Sequence, residues 1–288
     1  MINLIDKLML VTGSGTGVGS GIASTLAKCG AHVVVHYNNS EKEAEETKEI
    51  INSFGRKCKL IKSNLKVVDE CIRTIDEAAE FLGGLDGLVN NAGITIPKDI
   101  KKIDENHFND IFSLNFRSYF FCAQQAIKHL VKRGKSLSEN NKNYKWSGGS
   151  IVNISSVHGK LGHPGHSVYA STKGAINSFT KQLSVELISE HIRVNAIAPG
   201  TIEVPSYFEK DPSYNRELGN SLVPWGRVGL PEEGGYLAAY LVSDFSEFLT
   251  GEIIHMDGGL TAGMNLNIEK SKIQKDMKID LDKIRENI

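Results

Sequence analysis

Short apolar runs alternate with longer amphipathic segments along most of the chain. The apolar runs are rich in β-branched residues and predict strands at Leu8–Val11, His32–His36, Lys59–Lys62, Gly87–Val89, Ser150–Ile154, Arg193–Ala198 and Glu252–Met256. The amphipathic segments predict helices at Val18–Cys29, Glu41–Phe54, Val67–Phe81, Phe112–Lys132, Ala170–Ser189 and Glu232–Leu241. Such alternation is typical of an α/β fold with a doubly wound parallel sheet and helices on both faces. Sheets of this type bind ligands beyond the carboxyl ends of their strands.

Two segments depart from this alternation. Ser136–Gly149 is rich in Asn, Lys and Ser without an apolar period, which predicts a surface loop. The residues after Gly263 are charged, yet apolar residues recur there at helical spacing: Ile273, Met277, Leu281 and Ile284. This tail is either a helix docked on a neighbouring surface or a frayed end. We therefore predict one catalytic domain over residues 1–262 and a C-terminal extension over residues 263–288, for which a helix is one of these two alternatives.

Composition narrows the function classes. The chain has 288 residues and a formal net charge of -1, which does not indicate a nucleic-acid partner. It has neither an apolar run of membrane-spanning length nor a signal-peptide core, so we expect a cytoplasmic protein without a membrane partner. The four cysteines form no C-x-x-C pair and have no His at metal-ligand spacing, so we expect small buried side chains and no metal site.

A glycine-rich loop, Thr12–Gly19, follows the first predicted strand and opens the first predicted helix. Glycines permit a tight turn and let backbone N–H groups approach a pyrophosphate, while the helix N-terminus adds a favourable dipole. The strict G-x-G-x-x-G spacing fails here, because Ser20 takes the place of the third glycine. A structural turn is the alternative, but the position between strand and helix favours a dinucleotide site.

The end of the second strand bears on which dinucleotide binds. The chain there reads His36-Tyr37-Asn38-Asn39-Ser40, without the acid that usually binds ribose hydroxyls and without a cation for a 2′-phosphate. Ser14, Asn38, Asn39 and Ser40 could donate neutral hydrogen bonds. We therefore expect NADP, with NAD as the alternative.

Tyr169 and Lys173 are four residues apart, which places both on one face of a helix. A nearby cation favours the phenolate and lowers the pKa of a tyrosine, which then becomes usable as an acid or base. Taken alone, such a pair is usually an ordinary surface pair. Here it follows a buried strand that ends in Ser155 and Ser156. A hydroxyl at that point can hydrogen-bond a substrate carbonyl and stabilise charge on its oxygen.

Together these motifs resemble the short-chain dehydrogenase/reductase family. Thr12–Gly19 is similar to its T-G-x-x-x-G-x-G loop, and Asn90–Gly93 to its N-N-A-G motif. Ser156 and the Tyr169–Lys173 pair match its catalytic Ser and Y-x-x-x-K in order and spacing. Further matches are Asn115 in the long helix, Pro199-Gly200 after the sixth strand and Asp257-Gly258-Gly259 near the end. The resemblance covers roughly Leu8 to Thr261 and implies a single Rossmann-like sheet.

The resemblance implies roles for named residues. Ser156 would hold the substrate oxygen, Tyr169 would pass the proton, Lys173 would bind the nicotinamide ribose and lower the Tyr169 pKa, and Asn115 would hold a water behind Lys173. The implied cofactor-binding residues are Gly13, Ser14, Thr16, Gly17, Val18, Gly19, Tyr37, Asn38, Asn39, Ser40, Asn64, Leu65, Asn91, Ala92, Gly93, Tyr169, Lys173, Pro199, Gly200 and Ile202. The family also implies a homotetramer built through the long helices and the last strand.

Two residues depart from the family pattern. Val204 stands where many members have a Thr that contacts the cofactor carboxamide, and Asn64 replaces a common Asp beside the adenine. We expect Ile202–Val223 to form a substrate lid. Its aromatic residues could stack on a sugar, flank an acyl chain or pack the lid closed: Tyr207, Phe208 and Tyr214.

The substrate stays open. His158, His163 and His166 lie between Ser156 and Tyr169, and one of them could contact a substrate. The chain is similar to bacterial-type glucose 1-dehydrogenases and to 3-oxoacyl-carrier-protein reductases within the family, so we expect a small carbonyl or alcohol, either a sugar or polyol or a 3-oxoacyl thioester. A non-catalytic dinucleotide-binding sensor is the alternative of another class. Such proteins usually lose the Tyr or the Lys, and both are present here.

Overall fold

In the computed structural model, which describes residues 2–140, 148–210, 213–263 and 281–287, the strands form one parallel sheet. Their order is β3-β2-β1-β4-β5-β6-β7, and every neighbouring pair is parallel. The bounds are Leu8–Val11 (β1), His32–Tyr37 (β2), Cys58–Lys62 (β3), Gly87–Asn90 (β4), Ser150–Ile154 (β5), Arg193–Pro199 (β6) and Ile253–Met256 (β7). The predicted doubly wound sheet is confirmed. Its order reverses beside β1, and this switch point opens a crevice at the carboxyl ends of β1 and β4.

Helices connect the strands. They are Gly17–Lys28 (α1), Glu41–Ser53 (α2), Val68–Leu82 (α3), Glu105–Phe112 (α4), Ser118–Asn140 (α5), Ser167–Glu186 (α6), Pro205–Lys210 (α7), Arg216–Ser221 (α8), Pro231–Val242 (α9) and Leu281–Asn287 (α10). A π-helical turn, Ser113–Arg117, joins α4 to α5. Across the part of the chain that the structure describes, no helix is both long enough and apolar enough to cross a bilayer.

The two faces of the sheet have separate apolar cores because alternate strand residues point to opposite sides. Met9 and Val11 of β1 pack with α1, α2 and α9, whereas Leu10 packs with α3 and α5. Every residue of β1, β4, β5 and β6 is buried. With both faces covered, the carboxyl ends of the strands are the open side of the sheet.

The long helix differs from its prediction at both ends. It is preceded by α4 and the π-helical turn, and α5 continues to Asn140, so the predicted surface loop is wrong at residues 136–140. The polar residues of this stretch extend an exposed helical end, where the Ser138 hydroxyl donates to the Gly134 carbonyl (3.0 Å) and no apolar face is required. Most of the remaining predicted loop lies outside the described residues.

The end of the C-terminal extension is helical. Ile284 of α10 packs against a small buried cluster formed by Val223, Val228 and Leu230 of the same chain. Two of the predicted periodic positions, Ile273 and Met277, lie outside the described residues. The division of the chain at residue 262 stays a prediction.

Candidate active site

The glycine-rich loop turns sharply between β1 and α1. Gly13 and Gly17 adopt left-handed backbone angles (φ +62° and +61°), which favour glycine. A Cβ on Gly13 would lie 2.7 Å from the Cα of Ala92, so only glycine permits this approach of the two loops. The Asn91 side-chain amide donates to the carbonyl oxygens of Thr12 and Gly13 (3.0 and 2.9 Å) and fixes their spacing.

His36 holds this loop from beneath, a role that the sequence analysis missed. Its Nδ1 accepts a hydrogen bond from the Gly13 N–H (2.9 Å), and its Nε2 lies 3.1 Å from the Ser63 carbonyl oxygen. Accepting at Nδ1 requires the neutral ring, which then donates from Nε2. Burial lowers the pKa of His36 to about 4, so the ring is neutral at physiological pH.

A cavity of about 450 Å³ lies over the carboxyl ends of β1, β2 and β4. Most of the predicted cofactor residues line it: Gly13, Thr16, Gly17, Val18, Gly19, Tyr37, Asn38, Asn39, Ser40, Asn64, Leu65, Asn91, Ala92 and Gly93. Ser14 does not. It is fully buried, and its hydroxyl donates to the Val11 carbonyl oxygen (2.6 Å) while it accepts from the His36 N–H (3.2 Å). We therefore correct the prediction that Ser14 contacts the cofactor.

A second cavity of about 540 Å³ continues from the first. The two share Val18, Asn91, Gly93, Ile94, Val204 and Ser206, and therefore form one crevice. Except for Asn115, which lines neither cavity, and Ser14, the remaining predicted site residues line the second cavity: Ser156, Tyr169, Lys173, Pro199, Gly200 and Ile202. The structure thus brings the dinucleotide loop and the Ser–Tyr–Lys group to two ends of one crevice.

Lys173 lies in a deeply buried part of this crevice. Its side chain is nearly fully buried, and Nζ donates to the Ile154 carbonyl oxygen (2.8 Å). Nζ lies 5.5 Å from the centre of the Tyr169 ring and 5.6 Å from that of the buried Tyr119, whose hydroxyl donates to the same carbonyl (3.1 Å). Burial lowers the pKa of Lys173 to about 7, and no described carboxylate pairs with it.

Tyr169 is in the first turn of α6. Burial raises the pKa of its phenol, and a hydrogen bond with the Ser156 hydroxyl opposes that rise only in part. The predicted lowering by Lys173 is therefore not seen in the protein alone. The physical reason is that the lysine shares the dry pocket and loses much of its own charge near pH 7. The phenol is protonated at that pH and can act as a hydrogen-bond donor or proton donor.

Asn115 lies in the π-helical turn and is fully buried. Its side chain pairs with the backbone of Ile94, accepting from N–H and donating to C=O, each at 2.8 Å, and it also donates to the Thr172 hydroxyl (3.3 Å). These bonds join the loop after β4 to helix α6, which carries Tyr169. π-helical turns are frequent at functional sites because they shift backbone carbonyls out of the regular helical ladder. The water-holding role of Asn115 stays a prediction.

The predicted lid contains the short helices α7 and α8. Its aromatic rings pack mainly on one another: Tyr214 contacts both Tyr207 (centroids 5.2 Å apart) and Phe208 (5.1 Å). Tyr207 also lines the second cavity, so one of the three faces the space beside Tyr169. The same cavity is bounded by Val204, whose Cγ1 lies 3.5 Å from where a Cβ on Gly17 would be.

The three histidines before Tyr169 form a packed group. The rings of His158 and His166 are stacked (5.0 Å, 7°), and His163 Nδ1 lies 3.2 Å from His166 Nδ1. The edge of His158 meets the Tyr169 ring (5.6 Å, 75°). Among the described residues, no group of three His, Cys, Asp or Glu side chains has a geometry that could hold a metal ion. The group lies beside the Tyr169 ring, and a substrate contact by one of these histidines stays a prediction.

The crevice fits a nicotinamide dinucleotide on two observations. The N-terminus of the twelve-residue helix α1 opens onto the first cavity at Gly17, where its unpaired N–H groups can bind a pyrophosphate. At the other end, the Lys173 ammonium has three N–H donors, of which one goes to Ile154. The others can be donated to ribose hydroxyls.

Comparisons with known proteins agree with this geometry. A family model described as enoyl-(acyl carrier protein) reductase matches residues 13–261. The chain is similar to hydroxynaphthalene reductase-like protein Arp2 of Metarhizium majus (36% identity over 270 residues, 89% of this chain and 96% of that protein). It is also similar to versicolorin reductase 1 of Dothistroma septosporum (34% identity over 264 residues, 88% and 95%).

Solved structures share the fold along most of the chain. A putative short-chain alcohol dehydrogenase from Sinorhizobium meliloti has a TM-score of 0.81 at 32% identity and covers 91% of this chain and 99% of that chain. Acetoin dehydrogenase YohF from Salmonella typhimurium has a TM-score of 0.80 at 31% identity, with 91% and 98% covered.

Proposed function

The chain belongs to the short-chain dehydrogenase/reductase family, and from that membership we propose that it interconverts a carbonyl and a secondary alcohol with NADP or NAD, using Tyr169 as the acid or base. One observation carries the proposal. The half-buried Tyr169 lines the second cavity together with Ser156 and Lys173, and Lys173 Nζ is 5.5 Å from the Tyr169 ring.

Tyr169 and Ser156 have separate roles in the proposed reaction. A nicotinamide held beside Lys173 would supply or accept a hydride, which is one proton with two electrons. In reduction, the carbonyl carbon gains the hydride electron pair, and the phenol of Tyr169 delivers the proton to the oxygen, giving CH–OH. Ser156 donates a hydrogen bond to that oxygen while negative charge develops on it. In oxidation, a Tyr169 phenolate removes the hydroxyl proton as the hydride leaves.

We propose NADP as the preferred cofactor. Tyr37 and Asn38 occupy the end of β2, and among the described residues that line the first cavity there is no carboxylate to repel a 2′-phosphate. Lys66 lines the same cavity, and Lys62 Nζ lies 5.9 Å from the centre of the Tyr37 ring. Each of these cations already pairs with a carboxylate, Lys66 with Asp110 (2.7 Å) and Lys62 with Glu41 (3.2 Å), so the proposal rests on the carboxylate-free lining.

The substrate we propose is a small cyclic ketone or alcohol. Tyr207 lines the cavity, and an aromatic side chain there suits stacking on a sugar or on another ring. Two relatives are named for hydroxynaphthalene and for versicolorin, so ring-bearing carbonyl compounds belong beside sugars and polyols in a substrate panel. A 3-oxoacyl thioester is the competing substrate class, and the same panel separates the two.

Replacement of the phenol tests the proposal. Tyr169→Phe should lower kcat by about 10²–10⁴-fold because proton transfer is lost, while cofactor still binds in a fluorescence titration. Tyr240→Phe is the matched control, because it removes the hydroxyl of an exposed tyrosine on α9 outside the crevice and should leave kcat within a few-fold. A Tyr169→Phe protein that turns over normally would refute the catalytic role. A wild-type protein that binds cofactor without oxidising or reducing any panel member would instead favour the sensor alternative.

We also propose a homotetramer in the cytosol. The exposed aromatic rings of Phe108 and Phe120, 43% and 41% exposed, lie on α4 and α5, and Phe248 lies fully exposed just before the edge strand β7. Apolar side chains exposed at these two places support interfaces through the long helices and the last strand. Light scattering on a sizing column measures the assembly directly.

A further inference from the structure

We propose that helix α10 positions the substrate lid in cis, and that Arg216 is the positioning residue through which it acts. The lid here means residues 202–210 and 213–223. The inference rests on the proposed function, since it concerns how the substrate side of that site is held.

The lid is tied to its base by a charge pair in which the carboxylate is buried and the arginine is partly exposed. Glu203 is 6% exposed and lies between Ile202 and Val204, both of which line the second cavity. Arg216 at the start of α8 binds both carboxylate oxygens of Glu203, from Nε at 2.9 Å and Nη2 at 3.0 Å. This two-bond geometry fixes the guanidinium plane, so the position of Arg216 sets the position of α8 relative to the cavity wall.

Helix α10 then holds Arg216 from the opposite side. Nη1, the guanidinium nitrogen not used by Glu203, donates to Asp282 Oδ2 at 3.3 Å. Two residues further along the helix, Ile284 packs against the cluster that Val223 forms with Val228 and Leu230 at the lid's far end. Arg285 Nε also lies 3.9 Å from Glu232 Oε1 at the start of α9.

These contacts connect both ends of the second half of the lid. Arg216 is near the start of that half and Val223 ends it. Helix α10 contacts Arg216, the cluster that contains Val223, and Glu232 of helix α9. A segment held at both ends has fewer open conformations than one held at a single end. Loss of α10 contacts should therefore loosen the substrate side of the crevice and leave the cofactor side unchanged.

The experiment uses the full-length protein with Asp282→Asn and Ile284→Ala combined. Glu286→Gln, an exposed residue of the same helix, is the matched control. We expect KM for the best panel substrate to rise about threefold to tenfold in the combined variant, a size typical of one exposed ion pair and one half-buried contact. kcat and the Kd for the cofactor should stay within about twofold, as they should in the control.

A second readout does not depend on turnover. Hydrogen exchange of lid amides at residues 213–223 should speed up in the combined variant and stay at the wild-type rate in Glu286→Gln. Unchanged exchange and unchanged KM would overturn the inference, and so would an equal loss of cofactor affinity. If the wild-type protein turns over no substrate, the proposed function fails, yet the exchange measurement still decides the role of α10.

A double-mutant cycle separates positioning from simple packing. Arg216→Met leaves the buried Glu203 carboxylate unpaired and should raise KM more than tenfold, because an uncompensated buried charge is costly. Adding Glu203→Gln should recover part of that loss. Absence of any recovery would show that Arg216 does not act through Glu203.

Discussion

Lys173→Met should abolish turnover and at the same time stabilise the fold. The lysine is almost completely buried, and its ammonium meets no carboxylate in the described structure, donating only to the Ile154 carbonyl. Burial lowers the pKa from the ordinary 10.5 to about 7, which means that the folded protein holds the charged form poorly. Methionine has a similar length and apolar character, so it fills the same space without that cost.

The magnitude follows from the two pKa values. Their separation, 10.5 minus about 7, is about 3.5 pH units. At about 1.4 kcal/mol per unit, charge burial costs up to about 5 kcal/mol. The Ile154 carbonyl loses one donor, which costs about 1–2 kcal/mol, but the Tyr119 hydroxyl still donates to it. The net gain in the free energy of unfolding is therefore about 3 kcal/mol.

The pH dependence gives the sharper test. The folded pKa lies below the unfolded one, so between pH 7 and 10.5 the unfolded chain binds the extra proton. Wild-type stability should consequently rise with pH across that window, relative to Lys173→Met. The advantage of the variant is full below pH 7 and disappears as pH approaches 10.5.

Urea denaturation at pH 6, 8 and 10 measures these differences. Lys181→Met, an exposed position on the same helix, is the control and should change stability by less than about 0.5 kcal/mol at every pH. A Lys173→Met protein that is less stable than wild type at pH 6 would refute the reasoning, as would a stability difference that does not change with pH.

Three further predictions concern the same crevice. Because burial raises the pKa of Tyr169 in the free protein, alcohol oxidation, which needs the phenolate, should become faster as pH rises from 6 to 8, and initial rates measure this. Tyr37→Asp should move the ratio of kcat/KM values from NADP toward NAD by more than about tenfold, since a carboxylate at the end of β2 repels a 2′-phosphate. His36→Leu removes the acceptor of the Gly13 N–H and should weaken cofactor binding in a titration. The His36 pKa of about 4 also means that stability falls as pH drops from 6.5 toward 4, and urea denaturation should show this dependence in wild type but not in His36→Leu.

Local pattern was sufficient to predict the sheet. Each strand is a short β-branched run between helical segments, and burial on both faces leaves no polar alternation to confuse the pattern. The motifs could then be placed, because residues that end neighbouring parallel strands meet at one edge. This is why Asn91, Ser156 and Gly200 were expected in one crevice, where the structure has them.

Side-chain direction was not predictable in the same way. Ser14 belongs to the loop motif, but its hydroxyl turns under the loop toward Val11 instead of into the cavity. His36 showed no chemical signal in the sequence, and only the approach of β2 to the loop reveals that it accepts from Gly13. The sequence analysis also missed Tyr119, which lies beside Lys173. Tyr119 follows Asn115 by four residues, and this helical spacing could have indicated that Tyr119 lies near the site.

The pKa of Tyr169 shows why the catalytic pair has to be considered together with its ligand. A lysine can acidify a neighbouring phenol only while it is charged, and the dry pocket that holds Lys173 opposes that charge. One of the three N–H groups of the Lys173 ammonium donates to the Ile154 carbonyl oxygen, which leaves two. Hydrogen bonds from these two groups to ribose hydroxyls would favour the ammonium form. Lys173 is then a cation 5.5 Å from the Tyr169 ring in the complex with the cofactor, where the reaction requires an acidic phenol. The instability predicted for wild type and the acidity required of the tyrosine are thus two consequences of the same buried amine, and Lys173→Met should remove both.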